Sequence, residues 1–256
     1  MIGALTGDYI GSIYEFNNTS DANFPLIETG KEITDDSICT IAVADAILRG
    51  VSYEEALHDV CLRHLHPMGA YGSGFLYWLH SRDPKPYNSC GNGSAMRVSP
   101  VGWAFEKEET VLVEAEKSAV CTHNHPEGVK GAKATAHAVW FLRHYKNDME
   151  GFKRLMSEYY PDWESFEKDF TLFNALCQNT VPLCIQEVVR GNSYEETLRN
   201  TVLRGGDTDT NGAVAGAMAG ARWGVPSDLW QAVYRTIDED LKSIVAEFLR
   251  KYNVVG

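Results

Sequence analysis

The chain has 256 residues, enough for one large domain or two small ones with a substantial buried core. Its apolar content of 44% and charged content of 23% are typical of a soluble globular protein. The formal net charge of −12 argues against a nucleic-acid backbone or an anionic membrane as the main partner. An anionic ligand would therefore need cations to mediate its binding, which points to metal ions.

The sequence shows no sign of secretion or membrane insertion. Its first residues, MIGALTGDYIG, lack the basic start and the long apolar stretch of a signal peptide. No segment approaches the roughly 20 apolar residues of a membrane span. The six cysteines are scattered without a CxxC pair, as expected of free thiols in a reducing compartment. We therefore expect a cytoplasmic protein.

Helical periodicity dominates, and alternating strand patterns of useful length are missing. Ser37–Arg49 ends at Gly50, a candidate C-cap, and Ser52 with Glu55 forms a capping box before the next helix. No linker separates the chain into halves. We therefore predict a compact all-α bundle that forms one domain over residues 1–256. The predicted helices are Ser37–Arg49, Tyr53–His64, Glu108–Val120, Gly128–Tyr145, Val181–Arg190, Tyr194–Leu203, Asp228–Thr236 and Asp238–Tyr252.

Two acidic motifs, ITDDS at 33–37 and GGDTDT at 205–210, each stand directly before a predicted helical segment. Thr and Asp are preferred N-caps, and acidic residues suit the positive end of a helix dipole. Capping alone therefore explains the first motif. In the second motif, capping accounts for one acid but not for both Asp207 and Asp209.

A run of small residues follows the second motif. Gly212, Gly216 and Gly220 recur every four residues and so lie on one helical face. Glycine in a helix costs roughly 1 kcal/mol relative to alanine. Such a helix is tolerated where another backbone must approach closely, so we predict that it is central and surrounded by other helices.

The acidic motifs gain meaning if they converge with Glu15, which ends the segment GDYIGSIYE. Up to five negative charges would then share one pocket, and they could not all stay ionised without compensation. Oxygen ligands favour Mg²⁺, Mn²⁺ or Ca²⁺ over zinc. Two such ions would supply the missing positive charge and would attract an anionic substrate.

Other motifs suggest competing chemistry. The two HxHP pairs, at 64–67 and 123–126, could bind zinc, but such pairs usually stand on barrel strands, which this sequence lacks. Gly72-Ser73-Gly74 is similar to a nucleophile elbow without the full G-x-S-x-G pattern or a preceding strand. We rank both below a carboxylate metal site.

The segment SCGNGSAMR at 89–97 is small and rich in amides. If it opens a helix, its backbone N–H groups make a natural phosphate cradle. A plain turn is the alternative interpretation of this segment in isolation.

Five segments occur in the order found in the ADP-ribosylglycohydrolases: GALTGDYIGSIYE, TDDS, GNGSAMR, THNHPEGVKGA and GGDTDTNGAVAGA. The chain resembles that family from about Gly3 to about Gly224. The resemblance implies an all-α domain with a dinuclear centre of two divalent cations, Mg²⁺ or Mn²⁺. The metal ligands that it implies are Thr34, Asp35, Asp36, Asp207, Asp209 and Thr210. The implied catalytic residues are Glu15, Asp35 and Asp36, and the implied substrate contacts are Ser89, Gly91, Asn92, Gly93 and His123.

The resemblance also implies a reaction, in which water attacks the anomeric carbon of an ADP-ribosyl group through an oxocarbenium-like state. The cations would lower the pKa of the water, and the catalytic acids would steer or deprotonate it. The expected partner is an ADP-ribosylated protein or a small ADP-ribosyl conjugate. Neither a membrane nor a nucleic acid is expected, except a nucleic acid that is itself ADP-ribosylated.

Two departures from the family pattern concern specificity and capping. Arginine-selective members are expected to carry an acid near the start of the segment 89–93, called here the glycine-asparagine loop. This chain has Ser89 at that position, although Asp83 lies close upstream. Arginine selectivity therefore stays open. Ser37 replaces the commoner Thr of TDDT, which we expect to affect a helix-capping hydroxyl more than a metal ligand.

Two alternatives to the hydrolase remain. A non-catalytic ADP-ribose-binding module of the same fold should lack some of the acidic ligands, whereas this chain retains all of them. The other alternative is related metal chemistry on a different nucleotide, or a crystallin-like structural use of the fold.

Overall fold

The computed structural model describes residues 1–167 and 174–254 of the chain. These residues contain no β-strand, only isolated bridges between Thr34 and Met68 and between Gly91 and Leu176. The all-α prediction is therefore confirmed. Its helices are α1 (Ile2–Gly11), α2 (Asp35–Arg49), α3 (Tyr53–Arg63), α4 (Ser73–Leu79), α5 (Gly93–Met96), α6 (Ser99–Ala104), α7 (Glu108–Val120), α8 (Pro126–Tyr145), α9 (Met149–Tyr159), α10 (Cys177–Arg190), α11 (Tyr194–Leu203), α12 (Thr208–Trp223), α13 (Ser227–Thr236) and α14 (Glu239–Lys251).

Most predicted helices lie where the periodicity places them, and α7 and α11 match their predicted bounds. Gly50 ends α2 in the left-handed conformation, with φ of 68°. Ser52 Oγ accepts a hydrogen bond from the Glu55 backbone N–H at 3.1 Å. The Glu55 carboxylate pairs with Arg49 at 2.9 Å instead of closing the capping box.

The helix after the first acidic motif begins two residues earlier than the predicted Ser37. α2 begins at Asp35, so Asp35 and Asp36 lie in its first turn instead of before it. Thr34 is the N-cap, and its hydroxyl accepts a hydrogen bond from the Asp36 backbone N–H at 3.2 Å. In the same way α12 begins at Thr208, so Asp209 lies in its first turn.

Helices α1 and α12 lie at the centre of the fold, and both are buried along nearly their whole length. They cross in antiparallel contact through their glycines. A Cβ atom on Gly7 would lie 1.9 Å from the carbonyl oxygen of Gly212, and one on Gly3 would lie 2.1 Å from that of Gly216. The close backbone approach predicted from the glycine spacing is thus present. It places the end of α1 beside the start of α12 and so brings Glu15 to the second acidic motif.

The largest apolar cluster includes residues from both ends of the chain, Met1 and Val254. On this basis we propose that residues 1–256 form one domain, although 168–173 and 255–256 lie outside the described residues. All six cysteines carry free thiols. Among the described residues, no helix combines the length and the apolar character that crossing a membrane requires.

Candidate active site

A cavity of about 520 Å³ opens where the first turns of α2 and α12 meet. Carboxylate oxygens of Glu15, Asp207 and Asp209 lie within 4.8 Å of one another. The sequence-predicted acids therefore converge on one cavity. Its lining includes Glu15, Asp35, Asp36, Asp207, Asp209 and Thr210.

Buried Asp8 does not line the cavity but hydrogen-bonds to the first acidic motif and fixes its position. Its Oδ2 accepts hydrogen bonds from the backbone N–H groups of Thr34, at 3.0 Å, and Ser37, at 3.1 Å, and from the Ser37 hydroxyl. Its Oδ1 accepts from the Thr34 hydroxyl at 2.8 Å. Burial raises the pKa of Asp8 to about 6, although these hydrogen bonds oppose the rise. Asp8 therefore fixes the N-cap and the first turn of α2.

The same contacts correct the expectation for Ser37. Its hydroxyl does not cap the helix but donates to Asp8, while Thr34 is the cap. The sequence alone does not indicate a role for Asp8, although Asp8 lies in the GDYIG segment at 7–11. Its partners lie 26 and 29 residues away, and only the fold brings them together.

Hydrogen bonds also connect the two motifs to each other and to the glycine-asparagine loop. The Thr210 hydroxyl donates to Asp36 Oδ2 at 3.3 Å. Asn92 Nδ2 lies 2.8 Å from Asp207 Oδ2 and 3.0 Å from Thr180 Oγ1. Asn92, predicted as a substrate contact, thus lines the cavity and at the same time orients Asp207.

The protein around these carboxylates does not supply enough positive charge to balance them if all of them ionise. Burial, reinforced by neighbouring carboxylates, raises the pKa values of Asp35, Asp36 and Asp209 above the ordinary range. Burial, followed by the charge of Asp207, raises the pKa of Glu15 to about 7. No Lys or Arg of the described residues forms an ion pair with these acids. Ionising the cluster therefore requires positive charge from a ligand.

Two buried oxygen atoms suggest where that charge is needed. Asp36 Oδ1 and Glu15 Oε2 are buried and have no hydrogen-bond partner among the described residues. Buried carboxylate oxygens are normally hydrogen-bonded or bound to cations. The surrounding donors are carboxylate and hydroxyl oxygens, which suit Mg²⁺ or Mn²⁺ better than zinc. The residues present therefore fit a hard divalent cation.

Among the described residues, the two histidines of neither HxHP pair belong together to a group that could hold a metal ion, although His64 alone forms such a group with Asp238 and Asp240. His64 contacts Asp238 and Asp240 of the α14 region, at 3.2 and 3.1 Å, through its two ring nitrogens. His125 caps α8 by accepting a hydrogen bond from the Glu127 backbone N–H at 3.1 Å. His123 instead lines the acidic cavity. The histidines of the two HxHP motifs thus have separate structural surroundings.

Backbone hydrogen bonds connect the glycine-asparagine loop to the start of α10 and the residues before it. The Asn92 backbone N–H donates to the Ala175 carbonyl at 2.9 Å, and that of Cys177 donates to the Cys90 carbonyl at 3.1 Å. The Ser89 hydroxyl accepts from the Gly91 N–H at 3.1 Å. The loop does open a helix, α5, although that helix has only four residues. The predicted substrate contacts that line the cavity are Ser89, Gly91, Asn92, Gly93 and His123.

Comparison with known proteins identifies the family. Residues 1–255 match the family model described as ADP-ribosylglycohydrolase. The chain belongs to this family. It is 26% identical over 314 residues to the ADP-ribosylhydrolase ARH3 of Homo sapiens, a match that covers 90% of this chain and 86% of the human protein.

Further similarities extend over most of this ADP-ribosylglycohydrolase. It is 26% identical over 268 residues to the ADP-ribosyl-[dinitrogen reductase] glycohydrolase of Rhodospirillum rubrum, covering 88% of this chain and 84% of that one. A solved chain of an "ADP-ribosylglycohydrolase-related protein complex" has a TM-score of 0.73 at 22% identity, covering 97% of this chain and 96% of that one. That structural match shows a common fold, and the family membership supports ADP-ribosyl glycohydrolase activity.

Two observations on this ADP-ribosylglycohydrolase could not be predicted from its sequence: the aromatic part of the cavity wall and the position of Asp83 outside the cavity. Part of its wall is aromatic, with Tyr71, Phe75 and Tyr87, for which no short motif exists. Asp83, considered as an acid near the acceptor site, is exposed and pairs with Lys85 at 2.8 Å. It does not line the cavity.

Proposed function

We propose that this chain is a metal-dependent hydrolase that removes ADP-ribose from a modified protein side chain or a small ADP-ribosyl conjugate. The observation that carries the proposal is the convergence of both acidic motifs and Glu15 on one cavity beside the glycine-asparagine loop. Family membership and the names of the two relatives, both ADP-ribosyl hydrolases, support it. We also propose a cytoplasmic location, consistent with the free thiols.

We propose that the six oxygen-donor residues of the two motifs would hold two cations, Mg²⁺ or Mn²⁺. These are Thr34, Asp35, Asp36, Asp207, Asp209 and Thr210. Five of them line the cavity, whereas Thr34 does not, and its hydroxyl caps α2 and donates to Asp8. When bound, the cations would neutralise the clustered charge, orient ribose hydroxyls and lower the pKa of a water molecule. The buried, unpartnered Asp36 Oδ1 supports this assignment.

The catalytic roles fall to acids at the cavity surface. Glu15 lines the cavity, and its carboxylate lies beside those of Asp207 and Asp209, within reach of a water molecule held there. We propose that Glu15, assisted by Asp35 and Asp36, orients the attacking water and accepts its proton. Water then attacks the anomeric carbon, and the bond from that carbon to the acceptor breaks through an oxocarbenium-like state, with the departing acceptor taking up a proton that balances the one Glu15 accepts.

We assign substrate binding to the glycine-asparagine loop, which lies beside these acids. We propose that Ser89, Gly91, Asn92 and Gly93 hold the diphosphate and the neighbouring ribose, and that His123 contributes a further contact. Glycine lets the backbone approach a phosphate closely. The cavity volume of about 520 Å³ lies within the range usual for small-molecule sites.

A substrate panel tests the proposal. Purified protein is incubated with ADP-ribose linked to arginine, serine, acetate or nucleic acid, with Mg²⁺, with Mn²⁺ or with a chelator, and released ADP-ribose is measured. We expect release from at least one substrate with a divalent cation and its loss with the chelator. Binding of ADP-ribose without release from any substrate would identify a non-catalytic binding module instead. Release that persists in the chelator would overturn the metal dependence.

A further inference from the structure

His123 lines the cavity and is connected through Thr122 to a buried cation, Arg97. The residue is 5% exposed, and its ring lines the cavity. Its Nε2 faces the glycine-asparagine loop closely enough that a Cβ atom would lie 3.0 Å away if placed on Gly93 and 3.6 Å away if placed on Gly91. Within residues 1–167 and 174–254, Nε2 has no hydrogen-bond partner. This nitrogen is therefore available to a ligand held by the loop.

The other ring nitrogen belongs to a buried hydrogen-bond chain. His123 Nδ1 lies 2.7 Å from the Thr122 hydroxyl oxygen. The guanidinium Nη2 of Arg97 donates to that same oxygen at 2.7 Å and to the Ser118 carbonyl at 2.8 Å. Arg97 is only 1% exposed and forms no ion pair with a carboxylate of the described residues. It is a buried cation directly behind the histidine.

The direction of this chain follows from what each group can do. Arginine has no acceptor, so Thr122 Oγ1 must accept from Arg97. The hydroxyl hydrogen of Thr122 then has one strong acceptor in the described structure, His123 Nδ1 at 2.7 Å, beside the weaker Cys121 sulfur. If Nδ1 carried the proton, Thr122 would accept twice and its own hydrogen would be left with only the Cys121 sulfur, a weak acceptor. A buried hydroxyl hydrogen without a strong acceptor is unfavourable, which favours the arrangement in which Nδ1 is unprotonated.

We propose that Arg97 and Thr122 are positioning residues that fix His123 in the Nε2–H tautomer, so that the ring presents an N–H donor to an anionic oxygen in the loop. The ligand class that fits is a phosphate ester, and its identification as the diphosphate of ADP-ribose rests on the proposed function. The tautomer does not depend on that function.

The electrostatic surroundings agree with a neutral ring. Burial, and then the charge of Arg97, lowers the pKa of His123 well below its usual value. Arg97 also lines the cavity, where its positive charge favours an anion in a protein of net charge −12. The site thus combines a fixed donor with a buried cation behind it.

The tautomer can be read directly by ¹⁵N NMR of histidine-labelled, metal-free protein, with His123→Gln used to assign the signals. We expect Nδ1 of His123 at an unprotonated shift and Nε2 at a protonated shift between about pH 6 and 8. Protonated Nδ1 in the wild-type protein would overturn the proposal without any variant. This result is independent of whether ADP-ribose is hydrolysed, so failure of the hydrolase assignment and failure of this inference are distinguishable.

Variants of Thr122 test the consequence for binding. Thr122→Val keeps the shape but removes the hydroxyl, and we expect a mixed or inverted tautomer and about tenfold weaker ADP-ribose binding by calorimetry. Thr122→Ser should restore both. Thr135→Val makes the same change at a buried threonine whose hydroxyl has no partner, and it should alter neither. An unchanged tautomer and affinity in Thr122→Val would contradict the inference.

Discussion

Asp8 shows how a single buried carboxylate can organise a site that it does not line. Four hydrogen bonds from Thr34 and Ser37 converge on its two oxygens. All four partners are donors, so the oxygens at this position must both be acceptors. An amide in place of the carboxylate would turn an N–H₂ group either toward the three donors at Oδ2 or toward the Thr34 hydroxyl at Oδ1, and would loosen the first turn of α2.

Asp8→Asn should therefore weaken Mg²⁺ binding by about tenfold or more and destabilise the fold by about 2 kcal/mol. Titration calorimetry and chemical denaturation measure the two effects. Asp45→Asn is the matched control, since Asp45 lies on α2, the helix that Asp8 contacts, but does not line the cavity and pairs with Arg49 at 2.8 Å. Equal Mg²⁺ affinity in Asp8→Asn and the wild type would show that Asp8 does not position the acidic motif.

At the residue scale, the sequence predicts the acids that converge, because short motifs carry them. It does not predict which groups hold those acids in place. Asp8 acts across 26 residues and Asn92 reaches Asp207 across 115, and neither separation leaves a local signal. The contact from Thr122 to His123 is local, but its meaning depends on Arg97, which the fold brings from α5.

At the element scale, the packing of α1 on α12 places both acidic motifs at one cavity. Their glycines let the two backbones touch, as in other small-residue helix contacts. Any side chain between them would push the end of α1, and hence Glu15, away from Asp207 and Asp209.

Gly7→Ala tests this contact. Helix propensity alone would make the substitution stabilising by roughly 1 kcal/mol. We expect instead a loss of at least about 2 kcal/mol, because the new Cβ would meet the Gly212 carbonyl oxygen at 1.9 Å. Urea denaturation measures the sign directly. Gly72→Ala, where a Cβ meets nothing within 4 Å, should change stability by less than about 1 kcal/mol. A stabilised Gly7→Ala would contradict the packing.

The same glycine signal could have predicted α1. Gly3, Gly7 and Gly11 have the four-residue spacing that marked α12, but glycine, tyrosine and threonine lower the local helix propensity of this segment. Helices α4, α6 and α9 were also missed, and α10 was begun four residues late, beside its internal Pro182. In α1, α4 and α6 tertiary packing outweighs a weak local pattern, and in α10 Pro182 interrupts it, whereas α9 has a clear amphipathic pattern and an Asp148 N-cap that predict it.

At the scale of the whole molecule, the acidic cluster makes stability depend on pH and on cations. Burial raises the pKa of Glu15 to about 7 in the folded state from an ordinary value of 4.5, and it raises those of Asp36 and Asp209 in the same direction. The folded state therefore favours the protonated acids. Their contribution to stability is full below the unfolded-state pKa and is lost as the pH rises through the folded-state pKa.

Metal-free protein should accordingly melt at a lower temperature at about pH 8 than at about pH 5.5, and Mg²⁺ should raise the melting temperature more at the higher pH. Thermal unfolding at both pH values, with a chelator or with Mg²⁺, measures this. Asp209→Asn removes one of the coupled acids and should show a smaller pH dependence and a smaller response to Mg²⁺. A Mg²⁺ response that is equal at both pH values, or equal in Asp209→Asn, would contradict the charge balance derived for the cavity.

The most direct test of the central claim measures Mg²⁺ binding and ADP-ribose release on the same preparations of wild type, Asp209→Ala and Asp240→Ala. Asp240 belongs to the separate group of His64, Asp238 and Asp240, so its variant controls for loss of any acidic cluster. We predict that Asp209→Ala loses cation binding and turnover together, whereas Asp240→Ala keeps both. Undiminished turnover in Asp209→Ala would contradict a metal-dependent hydrolase centred on this cavity.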